Sequence, residues 1–87
     1  MKKVMITGGC GFLGANLAAH FLGAGWRVTV LDALFRLGGT ANREWLQSQP
    51  GGADIVFIQG DVADEAVVSR AFAEHGSFDL VCQLAGQ

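Results

Sequence analysis

The chain has 87 residues, of which 51% are hydrophobic and 16% charged, with a net charge of −2. That allows one small domain with a modest core, and it excludes a strongly basic or acidic partner-binding tail. With no cluster among its 6 lysines and arginines, neither nucleic acid nor an acidic membrane surface is an expected partner.

The first strand is expected at Lys3–Ile6, where Val4, Met5 and Ile6 form a short apolar run. This run breaks at Gly8 after four positions, short of the roughly 7–15 residues of a secretion h-region. No stretch approaches the ~18 apolar residues of a transmembrane helix, so the chain reads as cytoplasmic. The loop Thr7-Gly8-Gly9-Cys10-Gly11-Phe12-Leu13-Gly14 then leads into a helix expected over about Gly11–Leu22. Four glycines in seven positions leave backbone N–H groups bare at a helix N-terminus. Bare donors and the positive end of the helix dipole favour a phosphate there. Gly11 lets a pyrophosphate approach the backbone, and Gly14 lets helix and sheet pack closely.

Leu13, Leu17, Phe21 and Leu22 fall at helical spacing, and Gly23 and Gly25 end the helix. The β-rich run Arg27-Val28-Thr29-Val30-Leu31 ends in Asp32, 18 residues after Gly14. An acidic residue about 20 positions beyond such glycines is the expected acceptor for adenosine ribose hydroxyls. An irregular stretch, Ala33–Thr40, precedes a short helix over Ala41–Gln49, with Thr40 as N-cap and Pro50-Gly51-Gly52 as terminator. A third strand is expected at Asp54–Ile58. Beyond Gly60-Asp61-Val62 a helix is expected over about Asp64–Glu74, burying Val67, Val68, Ala71 and Phe72. The fourth strand reads Phe78–Leu84.

Strands alternating with helices mean βαβ units, right-handed crossovers and a parallel sheet, an α/β fold with strand order 3-2-1-4. Ligands bind beyond the C-terminal strand ends, where the winding reverses between the first and fourth strands. The glycine loop, Asp61-Val62 and Leu84-Ala85-Gly86 converge on that crevice. Asp61 is either an acceptor for the adenine amino group, with Val62 on the ring, or a turn aspartate after Gly60. Cys10 and Cys82 are too few and too scattered for a disulfide scaffold or a metal motif, so no metal is expected. They read as a loop side chain and a buried strand residue. His20, His75, Trp26 and Trp45 read as surface or packing residues, the tryptophans as covers over helix ends.

The glycine loop, Asp32, Gly60-Asp61-Val62 and Leu84-Ala85-Gly86-Gln87 together resemble the extended short-chain dehydrogenase/reductase family. Within it the chain is most similar to the NAD-dependent nucleotide-sugar epimerases and dehydratases. Cys10, Asp32 followed by Arg36, and Thr40-Ala41-Asn42-Arg43-Glu44-Trp45-Leu46 look closest to epimerases of CDP-sugars. The chain departs from the family pattern at Ala33, Phe35 and Gln83, where Asn, Ser and His are common.

The resemblance implies a Rossmann-like three-layer α/β/α fold, of which the 87 residues hold the N-terminal part. It implies NAD as cofactor. Gly8, Gly11, Phe12, Leu13 and Gly14 would surround its pyrophosphate, Asp32 its ribose, and Asp61 and Val62 its adenine. Leu84, Ala85 and Gly86 would line the inner end of the site. Arg36 lies near the ribose, but Asp32 would repel a 2′-phosphate, which favours NAD over NADP. Such enzymes take a hydride from a sugar carbon and return it, using Ser/Thr and a Tyr-x-x-x-Lys beyond the fourth strand. The chain contains no tyrosine, so alone it is expected to be inactive toward a nucleotide sugar. Three readings stay open: the cofactor-binding part of an epimerase, the same part of a dehydratase or dehydrogenase, or a non-catalytic dinucleotide-binding regulator. The fourth strand is expected to be an exposed parallel edge, leaving the isolated chain poorly stable or self-associating through it as a homo-oligomer.

Overall fold

Strands built from unbroken runs of β-branched and aliphatic residues belong in the middle of a parallel sheet, where both faces are covered. Two such runs occupy the centre here: β1 (Lys3–Thr7) and β2 (Arg27–Asp32). Val4, Met5 and Ile6 on the first and Val28, Thr29, Val30 and Leu31 on the second are each at most 1% exposed. The computed structural model describes the backbone of residues 2–8, 12–33, 39–61 and 63–84. Around the two central strands lie α1 (Phe12–Gly23), α2 (Gly39–Gln47), a 3₁₀ turn (Gly52–Asp54), β3 (Val56–Gln59), α3 (Glu65–His75) and β4 (Leu80–Gln83). All pairings are parallel and the strand order is β3-β2-β1-β4, as the alternation of strands and helices predicts.

Side chains alternate between the two faces of the sheet. Val4, Ile6, Val28 and Val30 form one buried cluster with Ala15 and Ala18 of α1, Leu46 of α2, and Ile55. Small residues at 14, 15 and 18 let α1 lie close to the strands, and all three are buried. Each buried aliphatic side chain contributes roughly 1.5–3 kcal/mol relative to exposure. Met5, Thr7, Thr29 and Leu31 project to the opposite face. The β3–β4 connection crosses the sheet in the reverse sense to β1–β2, so a right-handed crossover carries α3 to that face. There Ala71 is 1% exposed, and Gly60 packs so closely that a Cβ on it would lie 2.6 Å from Val67 Cγ1.

Both ends of α3 are held by side chains. Asp64 is its N-cap, accepting from the Ala66 N–H at 3.0 Å, with Glu65 in the first turn complementing the dipole. At the other end Lys3 Nζ donates to the carbonyls of His75 (2.6 Å) and Gly76 (3.0 Å). The Lys3 N–H also donates to Asp79 Oδ2 at 2.8 Å, while the Asp79 N–H returns a bond to the Lys3 carbonyl at 2.8 Å. One lysine thus ties the first strand to the approach of the fourth.

Several boundaries and buried faces differ from the sequence expectation. Thr40 lies inside the first turn of α2, because α2 begins at Gly39, and Leu46 of this helix is buried against the core. The third strand starts at Val56, not Asp54, because Gly51 (φ 82°) turns the chain into the 3₁₀ turn. The fourth strand is shorter than Phe78–Leu84. Phe78 packs edge-on against Phe72 instead, at 5.5 Å between ring centroids, and Asp79 is engaged by Lys3. On α1 the buried face is the small-residue one, and Leu13 is 66% exposed. On α3, Val67 and Val68 are half-buried and Phe72 is 44% exposed, since among the described residues this helix covers its face of the sheet alone. Cys82 is half-buried, packed on the core cluster. Among the described residues β4 lies at the edge of the sheet, as expected, and Leu80 and Val81 are exposed. No helix among the described residues is long and apolar enough to cross a membrane.

Candidate functional site

The C-terminal ends of β1 and β4 are in register at Thr7 and Gln83, and the Leu84 N–H donates to the Thr7 carbonyl at 2.9 Å. Connections leave these two strands toward opposite faces of the sheet, which opens the crevice where ligands of such folds bind. Gly8 takes the chain out of β1 with φ 79°. Only glycine adopts this conformation readily. Its N–H is anchored to the Leu31 carbonyl at 2.8 Å, so the exit from β1 is tied to β2. α1 then begins at Phe12, and its unpaired N-terminal N–H groups open on the same end of the sheet.

The structure brings Gly8, Leu13, Gly14, Asp32, Asp61 and Leu84 to this end. Gly14 is buried, as close packing of helix on sheet requires, whereas Leu13 leaves its side chain exposed at the start of α1. Asp32 closes β2 and is half-buried; its carbonyl accepts from the Gly60 N–H at 3.0 Å. That bond links the ends of β2 and β3. Asp61 is exposed, and its Oδ1 accepts from the Ala63 N–H at 2.9 Å, so the turn role of this aspartate is realised. Leu84 packs against the core cluster. Gly11, Arg36, Val62, Ala85 and Gly86 lie outside the described residues, as does the side chain of Phe12.

One group at this end is not evident from sequence. The Thr7 side chain is 4% exposed, and its Oγ1 has no hydrogen-bond partner among the described residues. A buried orphan hydroxyl costs about 1–3 kcal/mol. A threonine at a strand end is ordinary in sequence; only the packing around it reveals the unmet hydrogen bond. The residues read as packing groups sit elsewhere. Trp26 lies edge-on to Phe21 (4.8 Å) and under Lys2 Nζ (5.4 Å), and His75 ends α3 beside Lys3. Both are at the opposite end of the sheet from the crevice. Among the described residues no group of three or more His, Cys, Asp or Glu is placed to hold a metal ion.

Comparison with known proteins agrees with this geometry. Residues 5–87 match the GDP-mannose 4,6 dehydratase family. The chain is 41% identical over 85 residues to CDP-paratose 2-epimerase of Salmonella typhi, covering 98% of this chain and 24% of that protein. It is 42% identical over 75 residues to dTDP-glucose 4,6-dehydratase of Xanthomonas campestris pv. campestris (strain B100), covering 86% of this chain and 20% of that protein. The crystal structure of UDP-glucose 4-epimerase from Bifidobacterium longum in complex with NAD⁺ and UDP superposes with a TM-score of 0.80 at 32% identity. That match covers 99% of this chain and 25% of the epimerase. The chain therefore spans about a quarter or less of the length of these relatives. With a family match over nearly its whole length, the chain belongs to the GDP-mannose 4,6 dehydratase family, within the short-chain-dehydrogenase-type NAD epimerases and dehydratases.

Proposed function

We propose that this chain is the NAD-binding portion of a cytoplasmic nucleotide-sugar epimerase. The observation that carries the reading is the convergence of Gly8, the N-terminus of α1, Asp32 and Asp61 at the end of the sheet where the winding reverses. The buried Thr7 hydroxyl at the end of β1, without a hydrogen-bond partner among the described residues, supports a polar environment there. Gly8, Gly11 and the backbone N–H groups of Phe12 and Leu13 hold the pyrophosphate, and Gly14 keeps α1 close enough for its dipole to act on it. Asp32 accepts from the adenosine ribose, with Arg36 nearby. A carboxylate at that position disfavours a 2′-phosphate, so NAD is preferred to NADP. Asp61 keeps its turn bond to Ala63 while its carboxylate faces the adenine amino group, and Val62 packs on the ring. Leu84, Ala85 and Gly86 line the inner end of the site.

Bound NAD supplies a hydride acceptor for a sugar carbon and a donor for its return. This chain's contribution is to bind and orient the dinucleotide. It contains no tyrosine, so the proton-transfer groups of the reaction, a Ser/Thr and a Tyr-x-x-x-Lys, belong to a further part of the parent protein. Similarity to CDP-paratose 2-epimerase supports a CDP-sugar as substrate. Similarity to dTDP-glucose 4,6-dehydratase favours, as second reading, the same portion of a dehydratase.

The test is turnover by the protein encoded by the complete reading frame, given CDP-, dTDP-, UDP- and GDP-sugars in turn with NAD⁺. A product of unchanged mass and altered stereochemistry is expected. A product lighter by one water assigns a dehydratase instead. NAD⁺ binding without turnover, in a reading frame that never encodes Tyr-x-x-x-Lys, overturns the enzymatic reading in favour of a dinucleotide-binding regulator.

A further inference from the structure

We draw no further inference here: the strongest candidate, the buried Thr7 hydroxyl at the C-terminal end of β1 that finds no hydrogen-bond partner among the described residues, belongs to the site already described.

Discussion

Replacing Gly60 by alanine places a methyl group between β3 and α3. The added Cβ would lie 2.6 Å from Val67 Cγ1 and 3.3 Å from Val67 Cγ2, far inside carbon–carbon contact at ~3.5–4 Å. The contact is with a branched, half-buried side chain on a helix, so χ1 rotation offers little relief. Helix α3 must shift or the strand end must bend, and overpacking of this kind costs about 1–3 kcal/mol. Val67→Ala removes two methyl groups, roughly 1.6 kcal/mol at full burial and about half that at a half-buried site. The two changes are not independent, because the second removes the atoms with which the first collides. Gly60→Ala/Val67→Ala is therefore expected to be more stable than the sum of the single variants by about 1–2 kcal/mol. Urea denaturation followed by far-UV circular dichroism measures all four corners of the cycle, with unchanged m-values as the control. Gly60 also donates to the Asp32 carbonyl, so the same displacement weakens NAD⁺ binding and the double variant restores it. Additive stabilities, or a single Gly60→Ala variant as stable as the parent, would refute the packing of α3 on β3.

The Lys3 tie gives a second test. Lys3→Met keeps the aliphatic stem but loses charge-assisted bonds to two carbonyls at the end of α3, with an expected loss of about 1.5–3 kcal/mol in the same denaturation assay. Lys3→Arg should retain part of it, and a neutral Lys3→Met would show that the tie contributes nothing. Thr7→Val exchanges a buried hydroxyl that has no partner among the described residues for a methyl group, so in ligand-free protein it is expected to be neutral or stabilising by about 1 kcal/mol. A clear loss would mean that the hydroxyl has a partner. The 87-residue chain alone, with Leu80 and Val81 exposed on an open edge strand, is expected to self-associate in sedimentation velocity. A monomer that melts cooperatively would contradict that.

The sheet was legible because its central strands are runs of β-branched and aliphatic residues, and because alternation with helices leaves few topologies. What escaped sequence reading depends on which neighbours each residue meets. Gly52 reads as a helix terminator, yet its role is to fit under the Leu46 carbonyl, where a Cβ would have no room. Helical spacing places Leu13 with Leu17, Phe21 and Leu22; the last three pack against the core, but Leu13, in the first turn, is left at the mouth of the site. Phe72 lies on the apolar stripe of α3 as expected and meets Phe78 edge-on, yet it is left largely exposed. Within the candidate site, the placement of Gly8 and Asp32 at the ends of their strands is readable from spacing alone. Asp61 reads equally as a turn residue or as an acceptor for adenine, and its bond from the Ala63 N–H realises the first.

NAD⁺ titration by isothermal calorimetry bears most directly on the central claim. The protein expressed from the complete reading frame should bind NAD⁺ more tightly than NADP⁺, and Asp32→Ala should abolish NAD⁺ binding. Equal affinity for the two dinucleotides, or unchanged NAD⁺ binding in Asp32→Ala, would contradict the assignment of this crevice as an NAD site.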